Sequence, residues 1–145
     1  MSFTDIYSIA GSAMTAQTVR LNTVASNLAN ADAVSANPDD VYKAMKPVFA
    51  TVYNKTQLSQ GNAAYPHAEV RIVDVVKSQG DAEKRFEPHS PLADDEGYVY
   101  YPDVDVVAEM ADMMSATRSF ETNVSVLSNV KSMQQGLLRL GEGNR

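Results

Sequence analysis

The stretch VDVVAEMADMMSATRSFETNVSVLSNVKSMQQGLLRL, residues 104–140, reads as one helix too long for an ordinary domain of this size. Positions alternately four and three apart select Val106, Met110, Met113, Thr117, Phe120, Val124 and Leu127, the seam of a helix facing a partner, with Thr117 as its polar member. Beyond Leu127 the same spacing meets Lys131 and Gln134, while the neighbouring row Val126, Val130, Met133, Leu137 and Leu140 is apolar. A straight helix drifts in this way against a heptad, so it turns different faces to different neighbours along its length. At 1.5 Å per residue, roughly 36 residues span about 54 Å, about twice what a compact domain this small needs. Such a helix requires partners outside its own fold. Asp103 or Asp105 is placed to cap its start and Gly141 to end it.

A second long helix is predicted at the other end, from Thr4 to about Asn30, with Ser2 and Asp5 fitting a capping box. Its seam is Tyr7, Ala10, Met14, Gln17, Leu21, Val24, Leu28 and Ala31, and an adjoining row of Ile6, Ile9, Ala13 and Ala16 widens the apolar face. Two apolar faces imply two neighbours. The outside carries only Asp5 and Arg20 as charges, the rest being Ser, Thr, Asn and Gln. A coiled coil standing in water normally has charged flanks, whereas small uncharged side chains suit close packing against several helices. The two helices hold more apolar surface than a chain of 145 residues covers by itself, so limited proteolysis is expected to trim residues before about 30 and after about 110 first.

Between the helices the chain changes character. Residues 31–40 have loop composition, while Val48–Tyr53, Val70–Val76 and Tyr98–Tyr101 are short, β-branched or aromatic, and bounded by Pro, Gly or Asn, which predicts strands. Asp94-Asp95-Glu96-Gly97 reads as a turn with Gly97 at positive φ. Residues 77–91 form a polar connector without periodicity. The expected architecture is mainly α with a small β-rich middle: an assembly helix over 1–31, a segment of strands and loops containing a β-hairpin over 32–103, a long assembly helix over 104–141 and a polar tail over 142–145. The two helices run antiparallel, because the chain returns through the middle.

Composition narrows the function. A chain of 145 residues that is 44% hydrophobic has a one-domain length and supports a modest core. Without cysteine there is no disulfide framework, thiolate nucleophile or Cys-based metal site, and a net charge of −6 argues against a surface for nucleic acid. No run approaches 18 apolar residues and the start lacks a basic stretch followed by an apolar one, so neither a membrane span nor a cleaved signal peptide is expected. His67 and His89 have no ligand-spaced partner, the acidic turn lacks calcium-loop spacing, and no phosphate-binding glycine loop occurs. No catalytic, cofactor or metal residue is therefore assigned. Asp94, in a solvated turn, is expected to tolerate alanine. A prefoldin-like holdase, also built of antiparallel helices around hairpins, is the alternative from another class. Its coils should be charged outside the seam, unlike the N-terminal helix here.

The run Ala25-Ser26-Asn27-Leu28-Ala29-Asn30-Ala31-Asp32 resembles the S-N-L-A-N signature with which the axial proteins of the bacterial flagellum end their first helix. Tyr42-Lys43 matches the Gly-Tyr-Lys element that follows in the rod proteins, with Val41 in place of Gly. Pro91-Leu92-Ala93-Asp94, Gly97-Tyr98-Val99 and Pro102-Asp103-Val104-Asp105 are similar to the approach to the second helix in the proximal-rod members. That helix carries Glu109-Met110, Met113, Ala116, Arg118-Ser119-Phe120-Glu121 and Asn123, close to E-M-x-x-M-x-x-A-x-R-x-[FY]-E-A-N, with Thr122 where Ala is usual. Residues 54–87 carry little of the likeness.

The resemblance implies a structural subunit of the periplasm-spanning basal-body rod. It further implies export uncleaved through the flagellar type III apparatus, and self-association and contact with other rod proteins through the terminal helices. The residues expected at the assembly interface are Met14, Leu21, Val24, Asn27, Leu28 and Asn30 on the first helix. On the second they are Met110, Met113, Arg118, Phe120, Glu121, Asn123, Val124, Leu127, Val130 and Leu137, with Arg118 and Glu121 as the specific charges.

Overall fold

A computed structural model describes residues 3–54 and 67–142. The chain begins with helix α1, Phe3–Ala29, and ends with helix α2, Val106–Glu142. Between them lie β1 (Met45–Asn54), β2 (His67–Lys77), β3 (Glu83–Phe86) and β4 (Tyr98–Tyr101), paired antiparallel as two separate two-stranded ribbons, β1 with β2 and β3 with β4. The mainly helical architecture with a β-containing middle is as the sequence predicts. Ser2, half of the expected capping box, falls outside the described residues.

α1 stops where Asn30, Asp32 and the following small residues favour a turn, and Asn30 N–H bonds back to Ser26 O at 3.2 Å. The loop beyond is not wholly irregular. Ser35 exchanges two backbone bonds with Tyr100, at 3.0 and 2.9 Å, and Pro38–Asp40 forms a short 3₁₀ turn whose first N–H groups include Asp39 N–H donating to Asn37 Oδ1 at 3.1 Å. Proline at the first helical position loses no bond, which is why a helical turn survives in this composition. Val41, standing where the rod signature has Gly, is buried with φ −68° and ψ 141°, an extended conformation any residue adopts.

α1 lies between two neighbours, α2 on one side and the β1–β2 ribbon on the other. Both are in the same chain, so the two apolar faces read from the sequence are met within the subunit. Small residues make the close approach possible: Ala10, Ala16, Ala31, Ala44 and Ala116 are buried, and Val99 and Asn27 are the largest side chains fully buried. Ser8 and Ser12 tie the ribbon down, Ser8 Oγ donating to Glu69 Oε1 at 2.6 Å and Ser12 Oγ accepting from Val70 N–H at 3.2 Å. The ribbon bends at a bulge, where Val48 opposes Asp74 but Phe49 opposes Ile72.

Strand β3 has no counterpart among the predicted elements, because Glu-Lys-Arg-Phe lacks the β-branched alternation that marks a strand. Pairing across the ribbon decides it instead: Lys84 Nζ sits 3.9 Å from the Tyr98 ring centre, Arg85 lies over Tyr101 at 4.3 Å, and Phe86 meets Tyr98 edge-on at 5.2 Å. Gly97 takes φ +84°, as the turn requires.

Asp94 is not a bystander in that turn. Its Oδ1 accepts from Tyr98 N–H at 2.8 Å and Glu96 N–H at 3.0 Å, and its Oδ2 lies 3.4 Å from the Tyr100 hydroxyl. The Tyr98 backbone bond, with smaller help from Glu96, Lys84 and Tyr100, holds the carboxyl below its ordinary 3.8 against the opposing effect of burial. A carboxyl depressed on folding stabilises fully above its unfolded value and loses that contribution as pH falls through the folded one. The β3–β4 turn should therefore loosen only below about pH 4. Amide exchange at Glu96 and Tyr98 is expected to accelerate there, and Asp94→Ala should produce that acceleration already at neutral pH, correcting the expectation of a silent substitution. Unchanged exchange in the variant would refute this role.

α2 starts at a cap supplied by Asp105, whose Oδ1 accepts from Val107 N–H at 2.9 Å and Ala108 N–H at 3.1 Å. It runs through Gly141 rather than ending there. A lone glycine costs only about 1 kcal/mol in a helix and no tertiary contact enforces a stop.

Candidate assembly interface

The residues of the N-terminal signature form a polar knot inside the subunit. Asn27, 0% exposed, accepts from Met45 N–H (2.8 Å) and the Tyr42 hydroxyl (2.9 Å) through Oδ1, and its Nδ2 donates to Met45 O at 2.9 Å. Ser26 Oγ lies 3.2 Å from the same hydroxyl, and Asn30 Nδ2 donates to Ser26 O at 2.8 Å. One carboxamide thus satisfies both backbone groups of the first residue of β1, which pins the ribbon to the end of α1. Asn27, expected where subunits meet, is fully buried instead, its amide supplying a donor and an acceptor at once to the two backbone groups of Met45.

The antiparallel helices are registered by Arg20 Nη2 and Asp112 Oδ1, 2.7 Å apart. With those residues opposite each other, Phe3 lies opposite about residue 129, so α1 is too short to cover α2 beyond Val130. Exposure follows this geometry. The row of α2 turned to α1 is Glu109, Met113, Ala116, Phe120, Asn123, Leu127 and Val130, buried or half-buried throughout. Residues 131–141 are all exposed.

The seam read from sequence is therefore divided. Met113, Phe120 and Leu127 border the subunit's own α1, while Val106, Met110 and Val124 point away from it, with Met110 54% and Val124 45% exposed. The apolar stripe was real, but its partner α1 has small side chains and sits one position round the helix, over a row that includes Glu109, Ala116 and Asn123. Polar residues on the covered row hid it from a search for apolar spacing.

Of the other positions expected at the interface, Val24 and Val130 are buried within the chain, Met14, Leu21, Leu28, Asn30 and Asn123 are half-buried, and Arg118, Glu121 and Leu137 are exposed. Arg118 and Glu121 form no ion pair with each other. Val107 and Leu138, both exposed on α2, and the Arg20–Asp112 pair carry no signal in the apolar spacing. Exposed Val106, Met110, Met114 and Val124 lie on one flank of the covered row, and exposed Val126, Met133, Leu137 and Leu140 on the other, so α2 carries two uncovered apolar strips. Among the described residues no helix is long and apolar enough to cross a membrane. These strips are suited to packing against protein.

Comparison with known proteins agrees in the same regions. Residues 8–36 match the family described as "Flagella basal body rod protein", and residues 95–140 match "Flagellar basal body rod FlgEFG protein C-terminal". Full-length likeness is found to proteins named flagellar basal-body rod protein FlgC. The one from Escherichia coli O6:H1 is 47% identical over 98% of this chain and 100% of its own length. That of Salmonella typhimurium is 44% identical over 98% and 100%, and that of Bacillus subtilis 34% identical over 92% and 95%.

Proposed function

Because the chain belongs to the FlgC family of flagellar basal-body rod proteins, and is a structural subunit of that rod, we propose that it polymerises in the proximal part of the rod through the exposed apolar flanks of α2. The observation that carries this is the pair of uncovered apolar strips on α2 between Val106 and Leu140, on a helix whose row between them is already occupied by α1. Rod neighbours, including further copies, supply the missing side. Family membership takes the place of the holdase reading, and a mechanical role needs no catalytic residue.

In this reading the interface has two parts, Met110 and Val124 on one flank of α2 with Arg118 and Glu121 at its rim, and Leu137 on the opposite flank; an exposed ion pair at the rim contributes only about 0–1 kcal/mol. Met14, Leu21, Leu28, Asn30, Met113, Phe120, Asn123 and Leu127 act mainly inside the subunit and border the contact. α1, the β1–β2 ribbon and the first part of α2 pack together in this reading, and residues 131–142 extend from them.

Two measurements bear on this. Trypsin acting briefly on the isolated subunit is expected to cut after Arg139 and Lys131 well before Arg20, since residues 131–141 are exposed throughout while Arg20 lies on the packed helix α1; earlier cutting at Arg20 would show that α1 does not hold. Export uncleaved through the type III apparatus belongs to the same proposal, and protein recovered from basal bodies should begin at Met1 or Ser2. A start beyond residue 15 would contradict it.

A further inference from the structure

Where α1, β1 and the first turns of α2 meet, a cleft of about 310 Å³ is lined by Arg20, Val24, Met45, Lys46, Phe49 and Glu109, among others. Glu109 is 8% exposed, and its buried Oε2 has no hydrogen-bond partner. Its place in the first turn of α2 gives it a favourable dipole, but a dipole does not replace a donor at that oxygen. Arg20 is already engaged by Asp112 at 2.7 Å, and Lys46 is an exposed strand residue at the cleft's rim. A buried carboxyl oxygen in an open cleft is the receiving half of a charge-assisted pair whose donor comes from outside.

We infer that this cleft is a socket for the C-terminal extension of α2 from a second copy of the chain, with the Arg139 guanidinium donating to Glu109. This rests on the polymerising role proposed above. Arg139 is flanked by Leu138 and Leu140, 66% and 75% exposed, which would cover the apolar walls formed by Val24, Met45, Pro47 and Phe49. Arg118, the other exposed arginine of α2, has polar Thr117 and Ser119 beside it. A planar guanidinium also suits a buried carboxyl better than the ammonium of Lys131. Socket and plug lie about 45 Å apart along one helix, so a chain cannot fill its own socket. The contact is head-to-tail, which propagates into an open assembly instead of closing as a dimer.

The absence of native cysteine makes the test clean. Combining Glu109→Cys with Arg139→Cys and treating isolated basal bodies with a short bifunctional maleimide should link copies of this chain, because a paired Glu and Arg hold their Cα atoms farther apart than the about 7 Å a direct disulfide spans. Either cysteine alone, or Glu109→Cys with Arg118→Cys, should give no link. Since a buried cysteine could impair folding, Glu109→Gln provides a second arm. It should leave the isolated subunit's melting temperature unchanged or raised, yet lower the yield of assembled rods on the order of tenfold. Asp95→Asn, which removes a charge from an exposed residue outside the cleft, should not lower it. Rods assembled without the 109–139 link, a link through residue 118, normal yield with Glu109→Gln, or the same loss with Asp95→Asn would each overturn the socket. Failure of the unaltered chain to enter rods would instead overturn the structural role beneath it.

Discussion

Asn27→Ala is expected to destabilise the subunit by roughly 2–4 kcal/mol, because the substitution strands Met45 N–H and Met45 O at once and leaves the Tyr42 hydroxyl only Ser26 Oγ, and each buried polar group left without a partner costs about 1–3 kcal/mol. Against a typical total of about 5–15 kcal/mol, such a loss lowers the melting temperature by about 10 °C. Asn27→Asp should not rescue it: a carboxylate still accepts from Met45 N–H and Tyr42 but faces Met45 O with a second acceptor and a buried charge. Thermal melts of the purified variants check this. A shift of less than about 2 °C for Asn27→Ala would show that water replaces the amide and that the knot is not structural.

Val124→Asp and Leu127→Asp should fail in different ways. Leu127 is half-buried on the row facing the subunit's own α1, so an aspartate there forfeits apolar burial and desolvates a charge, costing roughly 3 kcal/mol of subunit stability. Val124 is three positions earlier and 45% exposed, and its replacement should change the isolated subunit by no more than about 0.5 kcal/mol. Within a rod the order reverses in kind. A charge at residue 124 enters every copy's contact with its neighbour, so Val124→Asp is expected to abolish rod assembly and swimming at normal protein level, whereas Leu127→Asp should also reduce abundance. Swimming retained with Val124→Asp would remove this face of α2 from the interface.

Both long helices, the loop that ends the first and the glycine turn before β4 could be read from the sequence because each depends on local signals: apolar spacing, capping side chains, or one residue tolerant of positive φ. β3 could not, since its charged and aromatic side chains acquire meaning only opposite Tyr98 and Tyr101. The division of α2 into a covered and an uncovered row was also illegible. Periodicity locates an apolar stripe but not which of two adjacent rows a partner occupies, and here the covered row contains Glu109 and Asn123. Signature matching carried the family but misplaced Asn27, since a motif records that an amide is needed and not whether it points inward or toward a neighbour.

Electron cryomicroscopy of isolated basal bodies, with this chain identified by a label, reads the packing of α2 in the rod. Met110 and Val124 on one flank of α2, and Leu137 on the other, should lie within about 4.5 Å of neighbouring rod subunits, while Met113, Phe120 and Leu127 stay against the chain's own α1. A rod in which both flanks of α2 meet solvent, with subunits joined instead through the β1–β2 or β3–β4 ribbons, would contradict this packing.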